Sequence, residues 1–577
     1  MGDLLTGQLA YVFLAAILDA AVISSIALRW YRRSVRRLMR ERGAQSPVTD
    51  VAHSGPDDER AVKPHAAAAP PTAELFDTAD AASPAFSEPG GASRRKLVIA
   101  YCAGAALHAA MMTILVLGVD TSLAPAAWFG QWWVFAWPIV PTLVAVLVLS
   151  RRDGIRLGLG YIVVGALATA LVTLAGQALR GSFNDAPMTN AVLFVKLLAE
   201  TAWVPLALLL ITGRRRIRSV APLALSATLV FGFALLLFRA AFTEALNITV
   251  LQSALLGAAA LTTTQVMYYG LFMILVLPVG WVPWRLLQLL AARYERKRFS
   301  DVQLIVDCWW LIVTAEQIVT NLTSPYGAGG IAAGLAAFAV YRVTVALCLS
   351  RLPDPGRASV ATKRLLLLRV FGYEARTETL FDRVAQRWRF HGPVQLIAGV
   401  DLAMRAVDPG DILAFVSGRL DQRYVKTSGD VGRRIGELDM QRDADGRFRI
   451  NEVYCHADNW RPTLQALLDA SDIVLMDLRS FSSANAGCVY ELEQLVSRLE
   501  PQQIVFVYDQ TTDLRLLGNC LADGWRRAVH SSPQAAGSIS CVRVERNSWS
   551  ELQLLLRRLT GAEQPHRVVA LADLASA

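Results

Sequence analysis

The residue types that could perform chemistry are concentrated in the stretch 472–499, DIVLMDLRSFSSANAGCVYELEQLVSRL. An apolar strand is predicted to end near Leu478, and a loop rich in Ser and Asn follows it. A helix is predicted to begin near Asn485, which is a favourable N-cap residue. Glu491 falls within the first two turns of that helix, beside its apolar stripe. Because ligands of parallel sheets bind beyond the carboxyl ends of the strands, Glu491 is predicted to lie at the mouth of the sheet.

Three more residues are site candidates. Asp477 and Arg479 stand at the end of the same strand and are selected by position alone. Arg376 follows an earlier strand and is a candidate partner for phosphate. Simpler interpretations stay open: Asp477 as a cap, Arg376 as a solvated charge, and Glu491 as an exposed helix residue whose neighbour Glu493 could serve as well.

The elements that must position these residues begin at about residue 364, where short apolar runs alternate with amphipathic stretches. Five runs predict strands, at 365–372, 394–400, 472–478, 503–509 and 539–545. Runs of Val, Ile and Leu separated by helices are typical of a parallel sheet covered on both faces. The sequence therefore predicts a doubly wound α/β domain over 364–560 and a tail over 561–577. The polar stretch 419–451 is interpreted as an excursion from the sheet.

The segment Gly487–Leu492, GCVYEL, resembles a pattern of the TIR (Toll/interleukin-1 receptor) family and its nucleoside-deoxyribosyltransferase-like relatives. In that family, S-x-W-C-x-x-E-L follows an apolar strand. Ser483 lies just upstream here, and Gly487 replaces the family's Trp. Glu491 falls on the family's catalytic glutamate. The segment LRVFGYEART similarly resembles the family's first strand and loop, and 419–451 then looks like an insertion.

The resemblance implies a TIR-like domain that cleaves an N-glycosidic bond, in NAD or a related nucleotide, in signalling. Glu491 would stabilise the positive charge that develops on the ribose. No cofactor is expected, since NAD would be the substrate, and self-assembly through this domain is expected. The candidate ligand-binding residues are Phe371, Gly372, Tyr373, Arg376, Asp477, Arg479, Ser483 and Cys488. Two alternatives stay open: a TIR-like interaction module without catalysis, and a transporter or channel with a regulatory domain.

The rest of the chain is much more apolar. Of all residues, 54% are hydrophobic and 18% charged, whereas soluble proteins average roughly 25% charged. Runs of about 18 apolar residues can span the ~30 Å core of a bilayer. Nine such runs predict an α-helical transmembrane bundle, at roughly 8–28, 97–118, 131–150, 157–179, 191–212, 221–238, 263–284, 302–322 and 329–350. Asp307 and Arg342 lie inside two of these runs and are interpreted as paired within the bundle or snorkelling.

Arginine clusters follow alternate apolar runs, which predicts the orientation. The N-terminus is predicted to lie outside and the C-terminal domain in the cytoplasm, in a bacterial inner membrane with the lipid bilayer as partner. The net charge of +9 is therefore assigned to topology and not to nucleic acid. The predicted order is a first helix with its basic flank (1–43), a disordered cytoplasmic linker (44–95) and eight helices (96–352).

Several common chemistries are not indicated by the sequence. It contains no GxxxxGK[ST], HExxH or GxSxG motif, which argues against a P-loop nucleotidase, a zinc protease and a serine hydrolase. The seven cysteines show no CxxC spacing. This spacing argues against a disulfide framework and predicts no metal site.

Overall fold

The structure is a computed structural model, which shows two compact units. One unit comprises Met1–Arg32, Arg94–Pro353 and Ala406–Arg419, and the other comprises Arg33–Ser93, Asp354–Arg405 and Leu420–Ala577. Isolated residues between 138 and 285 and at 565 and 573 are described in addition to the continuous ranges. The continuous described ranges are 22–38, 72–77, 91–117, 125–136, 288–322, 327–352, 362–370, 375–398, 409–443, 445–456, 459–527, 538–561 and 567–570.

The second unit is built on a sheet to which the described residues contribute nine strands. In chain order the strands are β1 (Thr72–Phe76), β2 (Leu365–Arg369), β3 (Val394–Ala398), β4 (Tyr424–Val425), β5 (Ile450–Cys455), β6 (Ile473–Asp477), β7 (Ile504–Tyr508), β8 (Ser538–Arg543) and β9 (Arg567–Ala570). Their spatial order is β4-β5-β3-β2-β6-β7-β8-β1-β9. All pairings between these strands are parallel except that of β1 with β9.

The order reverses direction at β2. The chain proceeds from β2 to β3 and β5 on one side, and then returns to place β6 on the other side of β2. The six central strands thus have the order 3-2-1-4-5-6 that doubly wound sheets use to bind dinucleotides. Five of the nine strands, namely β2, β3 and β6–β8, match the apolar runs that predicted them.

Helices cover both faces of this sheet. They are α5 (Ala375–Trp388), α7 (Asp430–Gly436), α8 (Trp460–Asp469), α9 (Ala486–Arg498), α10 (Leu514–Arg527) and α11 (Trp549–Thr560). Leu366 and Leu368 of β2 share one core with Leu492 and Leu495 of α9. The alternate residues of β2 point to the opposite face and are buried as well, Leu365 completely.

The first unit is helical in its described part. Its helices are α1 (Gly91–Leu117), α2 (Pro125–Ala136), α3 (Asp301–Leu322), α4 (Gly327–Arg351) and α6 (Pro409–Val416), and residues 22–38 are also helical. The Arg342 guanidinium of α4 donates a hydrogen bond to the Asp307 carboxylate of α3. The two intramembrane candidates are therefore paired with each other.

The prediction of a nine-helix transmembrane bundle is contradicted. Among the described residues, two helices are long and apolar enough to cross a membrane, Arg95–Leu117 and Ala332–Arg351. Half of the predicted span 131–150 lies outside the described residues, and its described part contains the end of α2 and helical residues after Pro138. Helix α3 offers only the shorter apolar segment Val302–Thr314. Most or all residues of five predicted spans lie outside the described residues, 8–28, 157–179, 191–212, 221–238 and 263–284.

Two segments that were assigned no regular structure each contribute a strand. Strand β1 lies within 44–95, the predicted disordered linker, and β9 lies within the predicted tail 561–577. Strand β1 is held between β8, in parallel, and β9, antiparallel. Its Ala73, Leu75 and Phe76 are buried, so the segment offsets its ordering entropy by burying apolar surface. The excursion 419–451 likewise contains regular structure, including β4 and α7.

The position of β1 in the sheet yields a stability prediction. Replacing Phe76, which is 2% exposed, by Ala should lower the free energy of unfolding by about 3–5 kcal/mol, as for other buried Phe→Ala changes. The control is Thr72→Ala on the same strand, where Thr72 is exposed. Thermal unfolding of the purified full chain measures both variants. Equal unfolding temperatures for the two variants would show that β1 is not part of the folded core.

Candidate functional site

The reversal of strand order brings two strand ends together. Strands β2 and β6 pair in parallel, and Arg369 is opposite Asp477 at their carboxyl ends. The amide of Val370 then donates to the carbonyl of Asp477 at 3.1 Å, which extends the pairing by one residue. In doubly wound sheets the crevice beyond such a pair is where ligands bind. We call this edge of the sheet the switch edge, meaning the carboxyl ends of β2, β6, β7 and β8.

Asp477 and Arg479 form a closed ion pair at the switch edge. Arg479 donates from Nε to Oδ1 of Asp477 at 2.8 Å and from Nη2 to Oδ2 at 2.6 Å. Both side chains are fully buried. The remaining guanidinium nitrogen of Arg479, Nη1, donates to Oδ1 of Asn547 at 2.9 Å. Both residues are candidate ligand contacts by their position in the sequence, but in the structure their charges are directed at one another.

The pair continues into a network that spans the switch edge. Asn547, which follows β8, has a left-handed backbone with φ of 53°, and its Nδ2 donates to the carbonyl of Arg376 at 2.9 Å. Arg376, at the start of α5, donates from Nη1 to Oδ2 of Asp509 at 3.0 Å. Asp509 follows β7 and is buried, whereas the Arg376 side chain is 43% exposed. Arg376 is therefore the member of this network that reaches solvent.

Sequence reasoning missed Asp509 and Asn547. Asp509 had a detectable signal, since it is an acidic residue at the end of a predicted strand, as Asp477 is near the end of another. Asn547 had a weaker one. Asn is among the residues that adopt a left-handed backbone most readily, but the sequence does not show that its amide joins two loops.

Glu491 lies in the second turn of α9 and differs from this network because one oxygen of its buried carboxyl has no hydrogen-bond partner among the described residues. Only 2% of the residue is exposed, and its Oε2 has no hydrogen-bond partner in the part of the chain that the structure describes. Burial raises the pKa of this carboxyl from 4.5 to about 8, and the positive charge of Arg369 opposes that shift. Burial therefore favours the neutral carboxylic acid over the carboxylate.

Helix α9 is held against the end of β2 near this carboxyl. The Cys488 thiol, one turn before Glu491, lies 4.0 Å from the carbonyl oxygen of Arg369. The N-cap position is Asn485, as the sequence predicted, but its side-chain oxygen accepts from Ser482 and not from the helix. Glu493, the alternative carboxylate, pairs with Arg527 at 2.7 Å near the surface. The helix thus presents one buried carboxyl and one solvated carboxylate.

The remaining candidates are placed as follows. Ser483 is exposed in the loop before α9, and Cys488 is fully buried. Phe371, Gly372 and Tyr373 lie outside the described residues. The described residues contain no group of three or more His, Cys, Asp or Glu side chains that could hold a metal ion.

Comparison with known proteins adds no identity, because no protein-family model, no curated protein and no solved structure matches the chain.

The buried ion pair of Asp477 and Arg479 predicts a large loss of stability when one of the two residues is removed. Arg479→Ala should lower the free energy of unfolding by about 3–5 kcal/mol, because it leaves the Asp477 carboxylate buried without a counter-charge. The matched control is Arg527→Ala, which breaks the more exposed pair with Glu493 and should cost about 0–1 kcal/mol. Denaturant unfolding of the two full-length variants distinguishes them. Similar small losses in both would contradict the closed pair.

The buried carboxyl predicts a pH-dependent stability. Its pKa is raised in the folded state, so its contribution is fully present below 4.5 and is lost as the pH rises towards about 8. Glu491→Gln keeps the neutral shape and should therefore stabilise the fold at neutral pH, by up to a few kcal/mol at about 1.4 kcal/mol per pKa unit. Unfolding temperatures measured across this range should diverge as the pH rises. A gain that is independent of pH would contradict an elevated pKa, and Glu493→Gln should show no such divergence.

Proposed function

We propose that the sheet unit binds a nucleotide at the switch edge and cleaves its N-glycosidic bond, with Glu491 as the reacting carboxyl group. The substrate class is NAD or a related nucleotide. The observation that carries the proposal is the buried Glu491 carboxyl on the helix that follows β6, whose Oε2 has no hydrogen-bond partner among the described residues. A buried polar group left without a partner costs about 1–3 kcal/mol. Such groups with shifted pKa values in a fold's ligand crevice are characteristic of functional sites.

Cleavage of an N-glycosidic bond needs few catalytic groups besides this carboxyl. Breaking the bond between ribose and base develops an oxocarbenium-like charge on the sugar, which a nearby carboxyl group can stabilise or assist. A nucleotide also carries phosphate. Arg376 is anchored to Asp509 and reaches solvent at the same edge, and a guanidinium fixed in this way suits a phosphate oxygen. The fully buried pair of Asp477 and Arg479 holds the loops after β6 and β8 together through Asn547.

The helical unit supports a location in a membrane. Several large apolar side chains of the two long helices are exposed, including Leu107 and Ile114 of α1 and Leu335 and Val343 of α4. A lipid bilayer is the solvent in which such faces are stable. We propose that these two helices cross the inner membrane, with the sheet unit in the cytoplasm. Basic residues flank the ends that join the sheet, Arg95 and Arg351.

The sheet limits the topology further. Strand β1 precedes the first long helix in the chain, and β2–β9 follow the second, yet all belong to one sheet. The chain must therefore leave and re-enter the same compartment between Phe76 and Leu365. The number of membrane crossings in that interval is even.

A cysteine-labelling experiment tests this topology. Single cysteines in place of Thr72 and Arg567, which are exposed and lie on β1 and β9, should both resist an impermeant thiol reagent applied to intact cells. Both should react after permeabilisation, in excess of the unsubstituted chain. Labelling of one position alone from outside would show that β1 and β9 lie on opposite sides. Labelling of both from outside would refute the cytoplasmic location.

The enzymatic proposal is tested with the full chain in detergent. It should release nicotinamide from NAD or a free base from a related nucleotide, and Glu491→Gln should lower the rate by about a hundredfold or more, as for other preorganised groups that act in the transition state. Glu493→Gln is the matched control and should retain the rate. Absence of release from every nucleotide tested would leave a non-catalytic interaction module as the better account.

A further inference from the structure

The surroundings of the Glu491 side chain favour one protonation state of its carboxyl group. Three of its neighbours along the helix are apolar and fully buried, namely Cys488, Leu492 and Leu495. The polar neighbour Gln494 is only partly buried and accepts from Gln465 of α8. Oε2 of the carboxyl makes no hydrogen bond within the described ranges. A carboxylate in such surroundings would be buried without its hydration, and the neutral acid is the form that tolerates this burial.

The charged groups on the elements around α9 do not compensate for the burial. Arg369 of β2 is the described side chain whose charge reaches Glu491, and its effect is smaller than that of desolvation. On β6 and the loop after it, Asp477 and Arg479 are closed on each other. On α10, Arg527 pairs with Glu493.

The groups on α8 are also directed elsewhere. Its Gln465 donates to the hydroxyl of Tyr490 at 3.0 Å, and Arg461 lies over the ring of the same tyrosine. Asp469, at the end of the helix, pairs with Arg498 at 2.9 Å. The carboxyl of Glu491 therefore rests in its protonated form.

We propose that Glu491 is the proton donor of this site, and that its substrate is a nucleoside or nucleotide whose base is neutral while attached to the sugar. The inference rests on the proposed function and narrows its substrate class. A neutral base leaves slowly unless a proton reaches it as the bond breaks, and an acid held neutral near working pH supplies that proton. Carboxylic acids that protonate the leaving group in glycosidases are tuned upward in the same way. The nicotinamide of NAD is already cationic and gains nothing from a donor.

The step balances without an oxidant or cofactor. The bond between C1′ of the sugar and the base nitrogen breaks, and its electron pair stays with the base. The proton of Glu491 passes to the base, which leaves neutral. Water then adds to C1′ and returns a proton to the Glu491 carboxylate, so the site is restored and the products are a free base and a sugar hydroxyl.

The test measures base release by the full chain with two probes, adenosine monophosphate and NAD, from below to above the pKa of about 8. Adenine release should be constant at the lower pH values and fall about tenfold per pH unit above the pKa, as expected for an acid that must be protonated. Glu491→Gln should abolish release, while its folding is checked by its unfolding temperature. Glu493→Gln should retain both the rate and the pH profile.

Three results would overturn the inference, and they bear differently on the proposed function. A rate that rises with pH through the same range would assign Glu491 the role of a carboxylate. Cleavage of NAD without cleavage of adenosine monophosphate would show that no donor is needed. Each of these two results refutes the proton donor and leaves the N-glycosidase intact. No base release from either probe would remove the proposed function together with the inference.

Discussion

The reversal of strand order at β2 is the constraint on which the site depends. Because β2 pairs in parallel with β3 on one side and β6 on the other, the carboxyl ends of β2 and β6 lie at the same edge of the sheet. In doubly wound sheets, ligands bind beyond the strand ends at such a reversal of strand order. Every group in the candidate site reaches that edge from the end of a strand or from the helix that follows one. The geometry of the site is thus a consequence of topology, and its chemistry is decided by a few side chains.

Those side chains divide into two kinds. Asp477, Arg479, Asn547, Arg376 and Asp509 form one chain of hydrogen bonds across the ends of β6, β7 and β8, and a connected network of this sort rigidifies the edge. Glu491 is buried to a similar degree but has an oxygen that the described residues leave unsatisfied. Networks of the first kind position a site. An isolated carboxyl of the second kind weakens the fold at neutral pH and is consistent with selection for chemistry at the expense of stability.

The sequence predicted the centre of the sheet because its strands are continuous runs of Val, Ile and Leu. It also predicted the start of α9 near Asn485. It missed β5, where INEVYC mixes polar and apolar residues, and β1, where TAELF is five residues within a segment rich in Ala and Pro. These strands are stabilised by neighbours distant in the chain, which local patterns do not reveal. Of the nine predicted spans, two have a helix that is long and apolar enough to cross a membrane within the described part of the chain, those at 97–118 and 329–350. An apolar run describes composition and does not by itself fix the length of the helix that forms there.

The placement of Glu491 on the helix after β6 followed from its spacing, but its protonation state did not. Burial, the absence of a partner and the modest effect of Arg369 are properties of the folded chain. The most direct test of the account is infrared spectroscopy of the full chain at neutral pH, compared with Glu491→Gln. The account predicts a carbonyl band of a protonated carboxylic acid in the parent that is absent from the variant and disappears as the pH passes about 8. A carboxylate band for Glu491 at neutral pH would contradict it.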